Sequence, residues 1–233
     1  MINETRRSRA ALYAVLAAAL LFALAPYYWT ARTAVITNFA AISASSPLLP
    51  SPDIFSIDGF IQAFTRYDMR LFLRNSVLIS VGSTLLSLVI AIPGAYSFAR
   101  LNFPGRKLLF YTAVFTIMFP WIVLTIPVYD VYLRLNLLNT FAGVIIALSI
   151  FIMPLCLWLL QGFFRQGLPE NIEEAALMDG ASRLGAFVRI VLPLSLPAVG
   201  ATAMFTFLNA WNNFLWVFLL TSDEQYRTAT VQL

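Results

Sequence analysis

The 233-residue chain has no histidine, one cysteine and only 11% charged residues. Each shortage removes a class of chemistry. Without histidine there is no imidazole to serve as a general base or a metal ligand near neutral pH. Cys156 is alone and lies in an apolar run, so neither an internal disulfide nor a cysteine metal cluster can form. No G-x-x-x-x-G-K-S/T stretch occurs, and Gly105 and its neighbours form no phosphate-binding loop. The chain therefore does not bind ATP by that route, and no cofactor or metal is expected. No carboxylate–histidine pair or membrane-facing nucleophile suggests an enzyme. A soluble domain carries roughly 25% charged residues, and this chain has too few to cover a globular surface.

What it has instead is apolar length. Hydrophobic residues make up 60% of the chain, and the mean hydropathy is +0.80. Apolar runs cover about residues 10–29, 76–99, 108–128, 140–160 and 196–220. Each reaches the twenty or so residues needed to cross a hydrocarbon core of about 30 Å. The expected fold is an all-α, polytopic membrane protein of about five transmembrane helices. A pI near 9.5 would suggest nucleic acid in a soluble chain. Here the basic residues flank the apolar runs, which points to orientation in lipid and to no nucleic-acid partner.

The first run follows Arg6, Arg7 and Arg9 and has the outline of a signal peptide with a small-residue site at 23–25. Pro26 directly after that site, and the length of the run, favour an uncleaved first helix. Residues 32–70 are polar and contain Pro47, Pro50, Pro52, Asp53, Asp58 and Gly59, an extramembrane segment. Its aromatics Phe55, Phe60, Phe64 and Tyr67 suggest that it lies against the bilayer surface. The chain thus divides into 1–70, an N-terminal helix with an external segment, and 71–233, the main transmembrane domain. Asp130 and Arg134 are expected in a short loop between the third and fourth spans.

Basic residues set the orientation. With the N-terminus inside, Arg6, Arg7, Arg9, Arg100, Arg106, Lys107, Arg165, Arg183 and Arg189 are cytoplasmic. Arg32, Arg66, Arg70, Arg74, Arg134 and Arg227 are then external. The short inner loops are basic, whereas the 130–134 stretch is balanced. The N-terminus and the 169–193 segment are therefore expected in the cytoplasm of a multi-pass cell-membrane protein.

The 169–193 segment reads as two short helices joined by a glycine corner. Pro169 suits a first helical turn because its missing N–H would be unpaired there anyway. Glu170, Glu173 and Glu174 then fall near the positive helix end. Gly180 supplies a left-handed residue for the stop, and Ser182 can cap the second helix. Leu184, Phe187, Val188 and Val191 recur at helical spacing and predict one apolar face. The bland alternative is an amphipathic loop with no special duty.

The pattern Glu174-Ala175-Ala176, three residues, Gly180, nine residues, Ile190, one residue, Leu192-Pro193 resembles the EAA signature of permease subunits of ATP-binding-cassette importers. In that family the loop docks into a cleft on a separate ATPase. The resemblance implies that Glu174, Ala175, Ala176, Gly180, Ile190, Leu192 and Pro193 form this coupling element. It also implies two ATPase subunits, a second homologous permease and an extracytoplasmic sugar-binding protein as partners, within membrane lipid. Members of the family usually have one more span than the five found here, so the chain reads as a fragment or truncated product.

An independent argument points the same way. Within the bounds above, the five runs hold no Asp, Glu, Lys, Arg or His. A proton- or sodium-coupled carrier needs such groups at membrane depth. Energy must then enter elsewhere, and the 169–193 segment is the natural place.

In the fifth run, Asn209, Asn212 or Asn213, and Trp216 fall at i, i+3 or i+4, and i+7, with Trp211 between them. A shared face of amides and indoles suits a neutral hydroxylated solute. Interhelical hydrogen bonding by the amides, or an aromatic-belt role for Trp216, would explain the same residues. The run F-T-F-L-N-A-W-N-N-F-L-W, the following R-T-A-T-V-Q-L, and Arg74-Asn75-Ser76 resemble the smaller membrane subunit of maltose-type carbohydrate importers. The function implied is ATP-driven sugar import. The same machine for a polyamine, amino acid or phosphate is the first alternative, and a non-transporting membrane protein is a distant one.

Overall fold

The computed structural model describes residues 6–36 and 55–232. Among them the backbone is almost entirely helical, and the only β contact is an isolated antiparallel bridge between Ile36 and Phe55. The chain forms two compact units, residues 1–69 and 70–233.

The first unit contains α1, Arg6–Ala34, and α2, Asp58–Thr65. Between Ala11 and Trp29 α1 is apolar on all sides, and Leu21, Phe22 and Tyr27 stand exposed. A helical stretch with no polar face is suited to lipid. Pro47, Pro50, Pro52 and Asp53 lie outside the described residues. Phe55, Phe60, Phe64 and Tyr67 are exposed.

The second unit is built on α3, Met69–Arg100, and α6, Phe141–Gln166. Lipid offers no hydrophobic drive between two apolar helices, so close packing must come from small side chains. α3 supplies them at Ser76, Ser80, Ser83, Ser87, Ala91 and Ala95, all buried. The Ser83 hydroxyl donates to the Ile145 carbonyl at 3.4 Å and that of Ser87 to the Ser149 carbonyl at 3.5 Å. From the other side, the Ser149 hydroxyl is shared between the Ile145 carbonyl of its own helix at 2.7 Å and the Ser83 carbonyl at 3.2 Å. Leu88, Leu148, Ile152, Leu157 and Leu160 fill the rest of this core.

The third apolar run is not one straight helix. α4, Arg106–Phe115, passes through two short 3-10 turns into α5, Thr125–Arg134, and the pair bends by 96°. Pro120 causes the break. A residue before proline is pushed out of the helical region, and Phe119 is extended at φ −72°, ψ 129°. On either side of the break the Thr116 and Thr125 hydroxyls donate to the Ala113 and Ile122 carbonyls. As a consequence Asp130 and Arg134 lie on α5 rather than in a loop, paired at 3.0 Å one turn apart.

The fifth run is interrupted as well. α10, Leu196–Trp211, stops at Asn212, and α11, Leu215–Leu220, resumes after Phe214. Before α10, a helix from Arg183 to Leu194 meets it at 71°. Pro197 cannot donate to the Pro193 carbonyl and its ring pushes that carbonyl away. Buried Ser195 fills the corner, its hydroxyl donating to the Val191 carbonyl at 2.6 Å. With each bent pair counted as one span, up to five helical segments are long and apolar enough to cross a membrane.

After α11 the chain folds back over the start of α3. The buried Asn75 amide donates to the carbonyls of Gln225 and Arg227, both at 2.9 Å. Ser76 accepts from the Ala229 N–H at 3.0 Å, where α12, Ala229–Gln232, begins.

Candidate functional site: the helix–turn–helix corner

α7 runs Glu170–Met178, with Pro169 extended just ahead of it at the cap position, one place earlier than the sequence suggests. Its end is a Schellman stop. The Ala181 N–H reaches the Ala176 carbonyl at 3.0 Å and the Gly180 N–H the Leu177 carbonyl at 3.1 Å. Gly180 sits at φ +86°, the left-handed region expected of it. Ser182 then caps α8, Arg183–Ala186, accepting from the Gly185 N–H at 3.1 Å. The helix continues through a π turn at Phe187–Val191, in which the Leu192 N–H bonds five residues back to Phe187, into the short α9, Leu192–Leu194.

The expected single apolar face is divided. Phe187 and Val191 are buried with Ala176 on the bundle side, whereas Leu184 is 71% and Val188 49% exposed. Glu174, Ala175 and Gly180 also face outward, with Met178 88% exposed. Ile190 and Leu192 are half-buried, and Pro193 is exposed at the exit. The apolar stripe is wider than the surface available to cover it. Its outer half leaves Leu184, Val188, Leu177 and Met178 uncovered on a segment that a solvated loop would have made polar.

Two α3 residues that sequence reasoning missed hold this corner in place. Tyr96, 6% exposed, donates its hydroxyl to the Glu173 carboxylate. Its ring packs on Phe187 at 4.4 Å and edge-on to Phe164 at 6.1 Å. One turn later Arg100 donates to the Leu168 carbonyl at 2.6 Å. Beside them a cavity of about 440 Å³ is lined by Arg100, Arg106, Arg165, Arg183, Glu173 and Glu174. The one available signal was a tyrosine and an arginine spaced i, i+4 at the basic end of an apolar run.

Asn209 and Asn212 stay one turn apart on one helix, but Trp216 leaves the expected amide face. The Asn209 and Asn212 amides donate to Phe205 and Leu208, each at 2.9 Å on their own helix. Asn213 accepts from the Trp216 N–H at 3.0 Å and so caps α11. Because the helix breaks there, Trp216 leaves the face of Asn209. It is fully buried and stacked on Phe151 at 4.2 Å and 12°. Trp211 is half-buried and stacked on Phe207. Among the described residues these amides make no bond between helices.

Comparison with known proteins gives this architecture its class. The family model described as "Binding-protein-dependent transport system inner membrane component" matches residues 70–232. The sulfoquinovosyl glycerol transport system permease of Agrobacterium fabrum is 32% identical over 212 residues, covering 91% of this chain and 73% of the relative. The trehalose transport system permease of Mycobacterium tuberculosis is 32% identical over 219 residues, covering 88% and 80%. A chain from the crystal structure of a bacterial ABC transporter that imports the acidic polysaccharide alginate superposes with a TM-score of 0.79. That match has 24% identity and covers 95% of this chain and 78% of the other.

The bundle is that of an ABC-importer permease, a transport subunit rather than an enzyme. The chain belongs to the family of binding-protein-dependent transport system inner membrane components. It is accordingly a multi-pass membrane protein that works with an ATPase and a substrate-binding protein.

Proposed function

We propose that this chain forms part of the translocation pathway of a sugar importer, paired with a second, homologous permease. The N-terminus and residues 169–193 face the cytoplasm, as the basic inner loops favour. The ATPase docks on the corner, and Glu174, Ala175 and Gly180 lie at that contact. The observation that carries this reading is the uncovered apolar half of the corner, Met178, Leu184 and Val188, beside the left-handed Gly180. The names of the relatives, which include a sulfoquinovosyl glycerol and a trehalose permease, support a carbohydrate as solute.

Gly180→Val is the direct test of docking. A β-branched residue in left-handed conformation costs about 1–2 kcal/mol, so ATPase copurification should fall about five- to thirtyfold at unchanged membrane insertion. Normal copurification and transport would remove the corner from the docking role.

Asn209, Trp211 and Asn212 are the residues proposed to meet the solute. Asn213 and Trp216 shape the helix break behind them. Replacing Asn209 or Asn212 with Leu should reduce transport per assembled complex about two- to tenfold, the value of one hydrogen bond. An unchanged value for both would assign recognition to the partner permease or the binding protein. Transport of a polyamine, amino acid or phosphate in place of sugar would favour the alternative solute class.

A further inference from the structure

We propose that Tyr96 is the positioning residue through which the 169–193 corner moves the membrane bundle. This inference rests on the docking role proposed above. The corner has two arms, and one α3 side chain grips both of them. The Tyr96 hydroxyl donates to Glu173 on α7, while its ring lies against Phe187, the first residue of the π turn on the other arm. Glu173 lies next in sequence to Glu174, which faces outward, so α7 presents adjacent carboxylates to the bundle and away from it.

The two contacts resist opposite displacements. Ring packing at 4.4 Å resists the corner being driven toward the bilayer. A hydroxyl–carboxylate bond, roughly twice as strong as a neutral one, resists its withdrawal. Arg100, one turn further, fixes the chain entering α7 through the Leu168 carbonyl. α3 in turn packs closely on α6 at Ser83, Ser87 and Ser149. A displacement of α7 therefore reaches the core shared by α3 and α6 through Tyr96.

The test uses the complete transporter in proteoliposomes with its binding protein, reading solute imported per ATP hydrolysed. Tyr96→Phe keeps the ring and its packing and removes only the hydroxyl. ATPase copurification should stay at the wild-type level while the import-to-hydrolysis ratio falls about two- to tenfold. Glu173→Ala should match it, and the double variant should be no worse than either single one, because both remove the same bond. Glu173→Gln retains a neutral acceptor oxygen and should restore the ratio in part.

An unchanged ratio in Tyr96→Phe would overturn the proposal, as would fully additive losses in the double variant. Loss of ATPase copurification in Tyr96→Phe would also overturn it, making Tyr96 a docking strut. Failure of the docking reading itself would appear separately, as Gly180→Val leaving copurification intact.

Discussion

Gly143→Ala is expected to lower the melting temperature of the purified permease by roughly 2–12 °C. Gly143 lies in the first turn of α6, where its N–H is accepted by the Thr140 hydroxyl at 3.0 Å. That hydroxyl in turn donates to the Leu137 carbonyl at 2.7 Å. A methyl group on Gly143 would fall well inside van der Waals contact of the same Leu137 carbonyl oxygen, which is backbone and cannot swing aside. The surrounding turn has little freedom to adapt. Asn136 and Asn139 already sit at φ 54°, and Asn139 accepts from the N–H groups of Ser222 and Asp223. Overpacking of this kind costs about 1–3 kcal/mol, and each kcal/mol is worth about 2–4 °C in a chain of this size. Gly162→Ala on the same helix is the control, since nothing lies within 4 Å of its added methyl. Equal melting temperatures for the two variants would sink the argument.

The second large effect is expected at Asn75. Its amide is fully buried, and both hydrogens are used by main-chain carbonyls about 150 residues away. Leucine has the same heavy-atom count and branching but is bulkier and has no donor. Asn75→Leu leaves the Gln225 and Arg227 carbonyls without their partner, a loss of about 1–3 kcal/mol. The returning segment should then open more often, and trypsin, which cuts after Arg227, reports that opening. Cleavage there should accelerate about five- to a hundredfold. An unaltered rate would mean that Ser76 and the Arg227 bonds hold the segment without Asn75.

Local signals and distant ones were not equally legible. Gly180 and Ser182 could be assigned from sequence because a left-handed stop and a hydroxyl cap depend on neighbours within five residues. The two arms of the corner followed from the same short range. Pro120 and Pro127 were visible too, yet hydropathy alone treats 108–128 as one rod. The extended Phe119 before Pro120 is what turns that rod by 96°. The extension of the amide face to Trp216 failed for a related reason. Extrapolating helical spacing from Asn209 to Trp216 assumes an unbroken helix, and Asn213 spends its carbonyl on capping a new one. Tyr96 was out of reach altogether. Its partner is 77 residues away, and no periodicity in α3 says which turn will face α7.

The serine contacts between α3 and α6 also bear on how such a subunit can change over generations. Ser83, Ser87, Ile145 and Ser149 touch through backbone carbonyls, so the fit depends on helix separation more than on side-chain identity. A larger residue on one helix demands a smaller one opposite, at the same depth, in the same gene. The two helices are therefore expected to drift as a pair. Exchange of α3 alone between diverged relatives should break the match, whereas a segment carrying both α3 and α6 should take it along intact.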